Sequence, residues 1–225
     1  MRKYIVYTVF GITAAALFFI NFSLMEIRQQ LSTKLSAPGS VINVEKKNIK
    51  ISPAGGKLIL KSPEFRKSFL KGAKAGNITV FAPRLKTLGS ILEGNPPDTA
   101  TIRIEDLNLK NTRLTGIIDS LTGAAPDENY QLALNLKNDS SGHVRISNIS
   151  FISDKNFLNA EGEILLSKSG KGFLLKEFRL KMSLPEKRKN YSFSLKKGPL
   201  RYPEDVPKLL SDPFSFINII KINKS

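Results

Sequence analysis

Tyr130-Gln131-Leu132-Ala133-Leu134-Asn135-Leu136 alternates large apolar side chains with small or polar ones at a period of two. Successive side chains of a strand point to opposite faces, so this pattern dictates a strand with one apolar and one wet side. The pattern recurs downstream. Leu158, Ala160, Gly162, Ile164 and Leu166 alternate with Asn159, Glu161, Glu163 and Leu165. Phe178, Leu180, Met182 and Leu184 alternate with Arg179, Lys181 and Ser183, and Tyr191, Phe193 and Leu195 repeat the theme. Turn-forming runs separate these segments: Asn138 to Gly142, Ser167 to Gly172, and Pro185 to Arg188. Short strands joined by polar turns predict an antiparallel meander.

Working upstream, Val41 to Val44, Asn48 to Ile51, Lys57 to Lys61 and Asn77 to Phe81 also read as strands, with Ser52 to Gly56 as a turn. Ile102, Ile104, Leu107 and Leu109 form a strand only if the alternation slips between Ile104 and Leu107, which predicts a bulge there. Ser62-Pro63-Glu64 is read as the cap of a short helix carrying Phe65 and Phe69, with a loop or an edge strand as the alternatives. Further short helices are expected over Pro83 to Leu92, where Leu85, Leu88 and Leu92 share a face, over Thr115 to Leu121 and over Glu204 to Leu210. The tail Pro213 to Ile222 is expected to close the sheet as a final edge strand, a partner-binding tail being the alternative.

The N-terminus has a different character. Tyr4 to Met25, YIVYTVFGITAAALFFINFSLM, holds no charged residue. Its length of about 22 residues, at ~1.5 Å rise each, suffices for a hydrocarbon core ~30 Å thick. Arg2 and Lys3 precede it, so the tip is expected in the cytoplasm and the remaining chain across the membrane, with Tyr4, Phe10, Leu17, Phe18, Phe19 and Ile20 among the anchoring residues. A cleaved signal peptide is the competing reading. It fits less well, because Phe22-Ser23-Leu24-Met25 is a poor small-residue cleavage site. Leu24, Ile27, Leu31 and Leu35 continue as one helical stripe until Ala37-Pro38-Gly39 stops it. The expected division is a cytoplasmic tip over 1–3, a transmembrane helix over 4–25, an amphipathic helical connector over 26–37 and a periplasmic β-rich domain over 41–225. The fold class is thus mainly β: one N-terminal transmembrane helix, then an elongated, curved, mostly antiparallel sheet with a few short helices.

Composition removes several chemistries. Cys is absent, which excludes disulfides, thiolate catalysis and Cys-based metal sites. One histidine, His143, leaves multi-His metal sites and most Ser-His mechanisms short of parts, and its Ser-Ser-Gly-His setting reads as a surface turn. The acids are scattered at turns and nominate no paired-carboxylate site. Ser169-Gly170-Lys171-Gly172 lacks the spacing of a phosphate cradle and reads as a hairpin turn. No cofactor, metal or catalytic set is expected, and the protein is read as non-enzymatic. The net charge of +16 is compatible with an anionic partner such as acidic lipid, lipopolysaccharide phosphate or an acidic protein, but the positive residues fall in short runs at turns and read first as a generally basic solvated surface. Nucleic acid is not expected, because Lys176, Arg179 and Lys181 lack interleaved exposed aromatics and read as a solvated strand face.

The apolar face carries the functional question. Leu132, Leu134, Leu136, Leu158, Ile164, Phe178, Leu180, Met182 and Phe193 fall on it. Such a face is buried under other elements, folded on itself, or offered to acyl chains, and alternation alone does not choose between a closed core and a lipid groove.

The order of features resembles a known family. A membrane helix, the stripe Met25 to Leu31, strands ending in Gly55-Gly56-Lys57-Leu58-Ile59-Leu60, and Leu85-Lys86-Thr87-Leu88-Gly89-Ser90-Ile91-Leu92-Glu93-Gly94 resemble the start of AsmA-like membrane-anchored periplasmic β proteins. Val144-Arg145-Ile146-Ser147-Asn148-Ile149-Ser150-Phe151 followed by Leu158-Asn159-Ala160-Glu161-Gly162-Glu163-Ile164 is similar to the corresponding region of the type II secretion system protein N family. The resemblance covers most of the chain as an ordering of patterns and carries over no functional residue. It implies a single-pass inner-membrane protein with its main domain in the periplasm. The first expectation it supports is an accessory component of a type II secretion-like envelope machinery working through protein contacts. The alternative is an AsmA-like or LptC-like segment for lipid or lipopolysaccharide transport, binding acyl chains on the apolar face.

Overall fold

The computed structural model describes residues 25–38, 40, 42–52, 56–66, 70–82, 98–110, 112, 115–116, 129–139, 141–155, 157–169, 172–196, 199–202, 205 and 215–222. The proposed transmembrane span therefore lies outside the described residues except for Met25, as do the helices expected over 83–92 and, apart from Thr115, Gly116 and Asp205, those over 115–121 and 204–210. Among the described residues no helix is long and apolar enough to cross a membrane.

The chain is mainly β. Its strands are β1 (Ile42–Asn43), β2 (Ile49–Ile51), β3 (Lys57–Lys61), β4 (Glu64–Phe65), β5 (Asn77–Phe81), β6 (Thr99–Asn108), β7 (Asn129–Asn138), β8 (His143–Ser153), β9 (Asn159–Ser169), β10 (Gly172–Leu184), β11 (Lys189–Leu195), β12 (Leu200–Tyr202) and β13 (Ile217–Ile222). One 11-stranded sheet runs in the order β13-β11-β10-β9-β8-β7-β6-β5-β3-β2, with β12 beside β10. Every described strand pair in it is antiparallel. This near-sequential order is the meander that the turn spacing predicts, and the tail forms edge strand β13 as expected. β1 and β4 make a separate two-stranded pair, Ile42 opposite Phe65. Glu64–Phe65 is thus extended, the edge-strand alternative in place of the short helix: Phe65 is buried between β1 and the Ala73–Lys74 segment, and local capping loses to that pairing.

Residues 25–36 form α1, and the predicted stripe holds it in place. Leu31 is buried, and Ile27 and Leu35 pack against the core it joins. Arg28 donates from Nε and Nη2 to the carbonyl of Lys46 at 3.2 and 3.0 Å, in a 3₁₀ turn over Lys46–Asn48. Ser36 Oγ donates to the Val44 carbonyl at 3.3 Å. The helix is therefore fastened to the chain leading into β2 on one side and to apolar side chains on the other.

Three register shifts bend the long strands: in β6 between Ile104 and Leu107, in β8 between Ile146 and Ile149, and in β10 between Leu175 and Glu177. Asp106 and Asn148, inside the first two, take left-handed φ values of 52° and 51°, as an inserted residue in a strand commonly requires. At Gly162 a side chain would not fit: an added Cβ meets the Arg179 carbonyl oxygen and lies 3.0 Å from Leu180 Cα. β9 and β10 thus approach closely where glycine allows it.

Candidate functional site

Directly opposed residues in an antiparallel ladder share a face, so the registers can be followed from strand to strand. Ile49 opposes Leu60, Leu60 opposes Ile78, Ile78 opposes Ile104 and Ile104 opposes Leu132. Leu132 opposes Phe151, Phe151 opposes Ala160 and Ala160 opposes Met182. A second row passes from Ile102 through Leu134, and a third from Ala100 through Leu136, Ile146, Ile164 and Phe178. Gly162, Leu180, Phe193 and Ile219 complete the set toward β13. Eight of the nine sequence-predicted face residues, Leu132, Leu134, Leu136, Ile164, Phe178, Leu180, Met182 and Phe193, therefore lie on one side of one sheet, and Leu158, the residue before β9, is buried in the core cluster with Met182 and Phe193.

Burial divides that side. Near the Tyr130, Leu158 and Leu184 ends of their strands it is sealed, these three residues being 1% exposed. Leu31 of α1, Val44, Phe65, Ala73, Ala75 and Phe157 form one buried cluster with these strand residues. Tyr130 stacks on Phe151 with ring centroids 4.7 Å apart, and Ser153 Oγ accepts from the Leu158 backbone N–H at 2.9 Å, so the polar group buried there is satisfied. Of the predicted residues, Leu158, Met182 and Phe193 belong to this core.

Farther along the strands the same side is only half-buried. Leu134, Leu136, Ile146, Ile149, Ile164, Leu166, Leu175, Phe178 and Leu195 fall in this state. So do Ala133, Asn135, Ser147 and Leu165 on the opposite, water-facing side. A strand residue flanked on both sides keeps its tip accessible when nothing is stacked over it, and these apolar tips are half-buried like the residues of the water-facing side. In the same rows Ala100, beside Leu136, and Val144 and Leu200, beside Leu166 and Leu175, are buried. The half-buried residues thus form a strip across β7 to β11, beyond the sealed end and bordered within its own rows by these buried residues.

The opposite side is polar and charged. Arg179 and Lys181 are exposed there, as the sequence predicts, and Lys176, also exposed, is the unpaired residue of the β10 register shift. Arg179 is matched by Glu163 at 3.5 Å and Glu177 at 3.7 Å. Lys57 and Arg103 sit 5.3 and 5.7 Å from the Phe81 ring, which leaves that aromatic occupied by cations.

One polar cluster was not legible as such in the sequence. In the β7–β8 hairpin Asp139 Oδ1 accepts from the Ser141 backbone N–H at 3.0 Å, from Ser141 Oγ at 2.6 Å and from the His143 backbone N–H at 2.8 Å. These bonds, the Ser141 hydroxyl foremost, hold the Asp139 carboxyl below its ordinary pKa of 3.8. Ser141 Oγ lies 2.7 Å from His143 Nδ1, and Asp139 Oδ2 is 3.6 Å from that same nitrogen. A relay needs the carboxylate and the hydroxyl on different ring nitrogens, so Ser, His and Asp here build a turn and not a nucleophile. Among the described residues no group of three metal-ligating side chains converges.

The anchoring residues Arg2, Lys3, Tyr4, Phe10, Leu17, Phe18, Phe19 and Ile20 lie outside the described residues. No protein-family model, curated protein or solved structure matches the chain.

Proposed function

We propose that this protein is a non-enzymatic, membrane-anchored β-sheet protein that holds acyl chains of a lipid along the half-buried strip on the apolar side of its sheet. The observation that carries this reading is the half-burial of Leu134, Leu136, Ile146, Ile149, Ile164 and Leu166 on a side that is sealed elsewhere. Completing the burial of such a partly accessible side chain contributes at most about a third of the ~1.5–3 kcal/mol of full burial, so these six residues offer at most about 3–6 kcal/mol to an apolar ligand. A flexible chain binding there loses part of that to ordering, which suits a carrier that must also release. The anchor supplied by 4–25, with Arg2 and Lys3 holding the tip inside, would keep the sheet periplasmic and within reach of the inner membrane. This is the AsmA-like or LptC-like alternative of the family resemblance.

A photocrosslinking amino acid separates the strip from the anchor. Placed at Ile164 in the full chain within membranes, it should capture acyl lipid; placed at Leu165, on the other side of β9, it should not. Equal labelling at both positions, or none at Ile164, removes the reading.

One observation favours the protein-contact function in a secretion-like envelope machinery. β13 is a sheet edge, and its Ile220 and Ile222 are 60% and 42% exposed. An apolar edge strand is a template for pairing with a strand of another protein. A crosslinker at Ile220 recovering envelope proteins while Ile164 recovers no lipid would establish this second reading in place of the first.

A further inference from the structure

The outer edge of β10 is shared by two strands. β11 pairs with Arg179 to Leu184, and β12 pairs with Phe173 to Leu175. Residues 176–178, which include the register shift of β10, lie between these two pairings. A shallow notch of about 450 Å³ opens there, lined by Lys176, Leu195, Lys196 and Pro199. Leu195 belongs to the apolar side, opposite Ile217 on β13, and Leu175 and Phe178 bracket the notch along β10 on that side.

The two lysines differ from their charged neighbours. Arg179 is matched by Glu163 and Glu177, whereas neither Lys176 nor Lys196 forms an ion pair among the described residues. Two unmatched ammonium groups therefore stand beside an apolar strip, at the place where the sheet edge is interrupted. The complement of that arrangement is an amphiphile with an anionic end.

We propose that the notch is a headgroup site: Lys176 and Lys196 bind the anionic headgroup of a lipid whose acyl chain lies on the Phe178, Ile164 and Leu166 strip. The inference rests on the acyl-binding reading and adds to it the class of lipid and the end of the strip at which its charge sits. The lysine ammonium is a point charge without the bidentate fork of arginine, so it suits a phosphate or carboxylate group with little shape selection. Two such contacts to an anionic headgroup give about tenfold to thirtyfold preference at low salt, screened away as salt rises.

The test uses the full chain in uncharged detergent micelles, with a photocrosslinking residue at position 178 and labelled phosphatidylglycerol or phosphatidylcholine of identical acyl chains. Phosphatidylglycerol should label about tenfold more than phosphatidylcholine. The exposed double substitution Lys176→Gln/Lys196→Gln should bring the ratio to about one while phosphatidylcholine labelling and the melting temperature stay unchanged. Equal labelling of the two lipids in the unsubstituted chain overturns the headgroup site and leaves the acyl strip standing. Absence of labelling by either lipid, both at 178 and at 164, overturns the strip itself. Inorganic phosphate at matched ionic strength should not change the ratio; if it abolishes the preference, the lysines bind free phosphate and the lipid assignment fails.

Discussion

Leu158→Ala and Leu136→Ala provide a direct test of whether the apolar side is one core or a core and a groove. Both residues sit on the same side of the sheet, on β9's approach and on β7. Leu158 is 1% exposed inside the sealed cluster, so truncation leaves a cavity with walls on all sides, at a cost of about 3–5 kcal/mol. Leu136 is half-buried in the strip. Removing its outer carbons forfeits roughly half of ~0.8 kcal/mol per methylene and leaves no enclosed void, which comes to about 1 kcal/mol. The gap of about 2–4 kcal/mol corresponds to melting temperatures roughly 4–16 °C apart for a domain of this size. Circular dichroism melts of the delipidated chain, repeated in urea to confirm unchanged slopes, measure it. Costs within about 0.5 kcal/mol of each other would mean that Leu136 is packed as tightly as Leu158, and the groove would be a closed core.

Gly162→Ala should lower the melting temperature by the equivalent of about 1–3 kcal/mol, because the new Cβ must displace the Arg179 carbonyl in a strand held on both sides. A neutral effect would show that β9 and β10 are not so closely apposed. Asp139 controls the β7–β8 hairpin in acid. Its folded pKa lies below the ordinary 3.8, so its contribution to the turn is complete above the unfolded value and is lost as pH falls through the folded one. Amide exchange at Ser141 and His143 should therefore accelerate below about pH 4, and Asp139→Asn should abolish that pH dependence.

Much of the sheet was readable because alternation is local. The bulge between Ile104 and Leu107 was predicted from two apolar residues three positions apart that must share a face, and the register shift falls there. The same spacing marks the other two shifts, Ile146 to Ile149 in β8 and Leu175 to Phe178 in β10, so the signal that would have found them was present. In β10 it was masked by Leu174, which makes either phase of the alternation plausible. The Ser62 to Phe65 segment reads equally as helix, loop or edge strand, because its extended shape comes from pairing with β1, more than twenty positions upstream, and with Ala73 and Lys74 downstream.

The candidate site divides along the same line. By itself the sequence determined which side chains share a face, since a strand's pleat ties each residue's orientation to that of its neighbour two positions away. It also determined the helical stripe of Ile27, Leu31 and Leu35, whose spacing follows from the helix turn. Only the tertiary structure decided what lies over that face. Leu136 and Leu158 carry the same side chain in the same kind of alternation, yet α1, Phe65 and Phe157 belong to the cluster that seals one and leaves the other half-open. The interruption between β11 and β12 that brings Lys176 near Lys196 is likewise a matter of which strand pairs with which part of β10. Coverage depends on contacts between residues far apart in the chain, and a period of two contains no information about them.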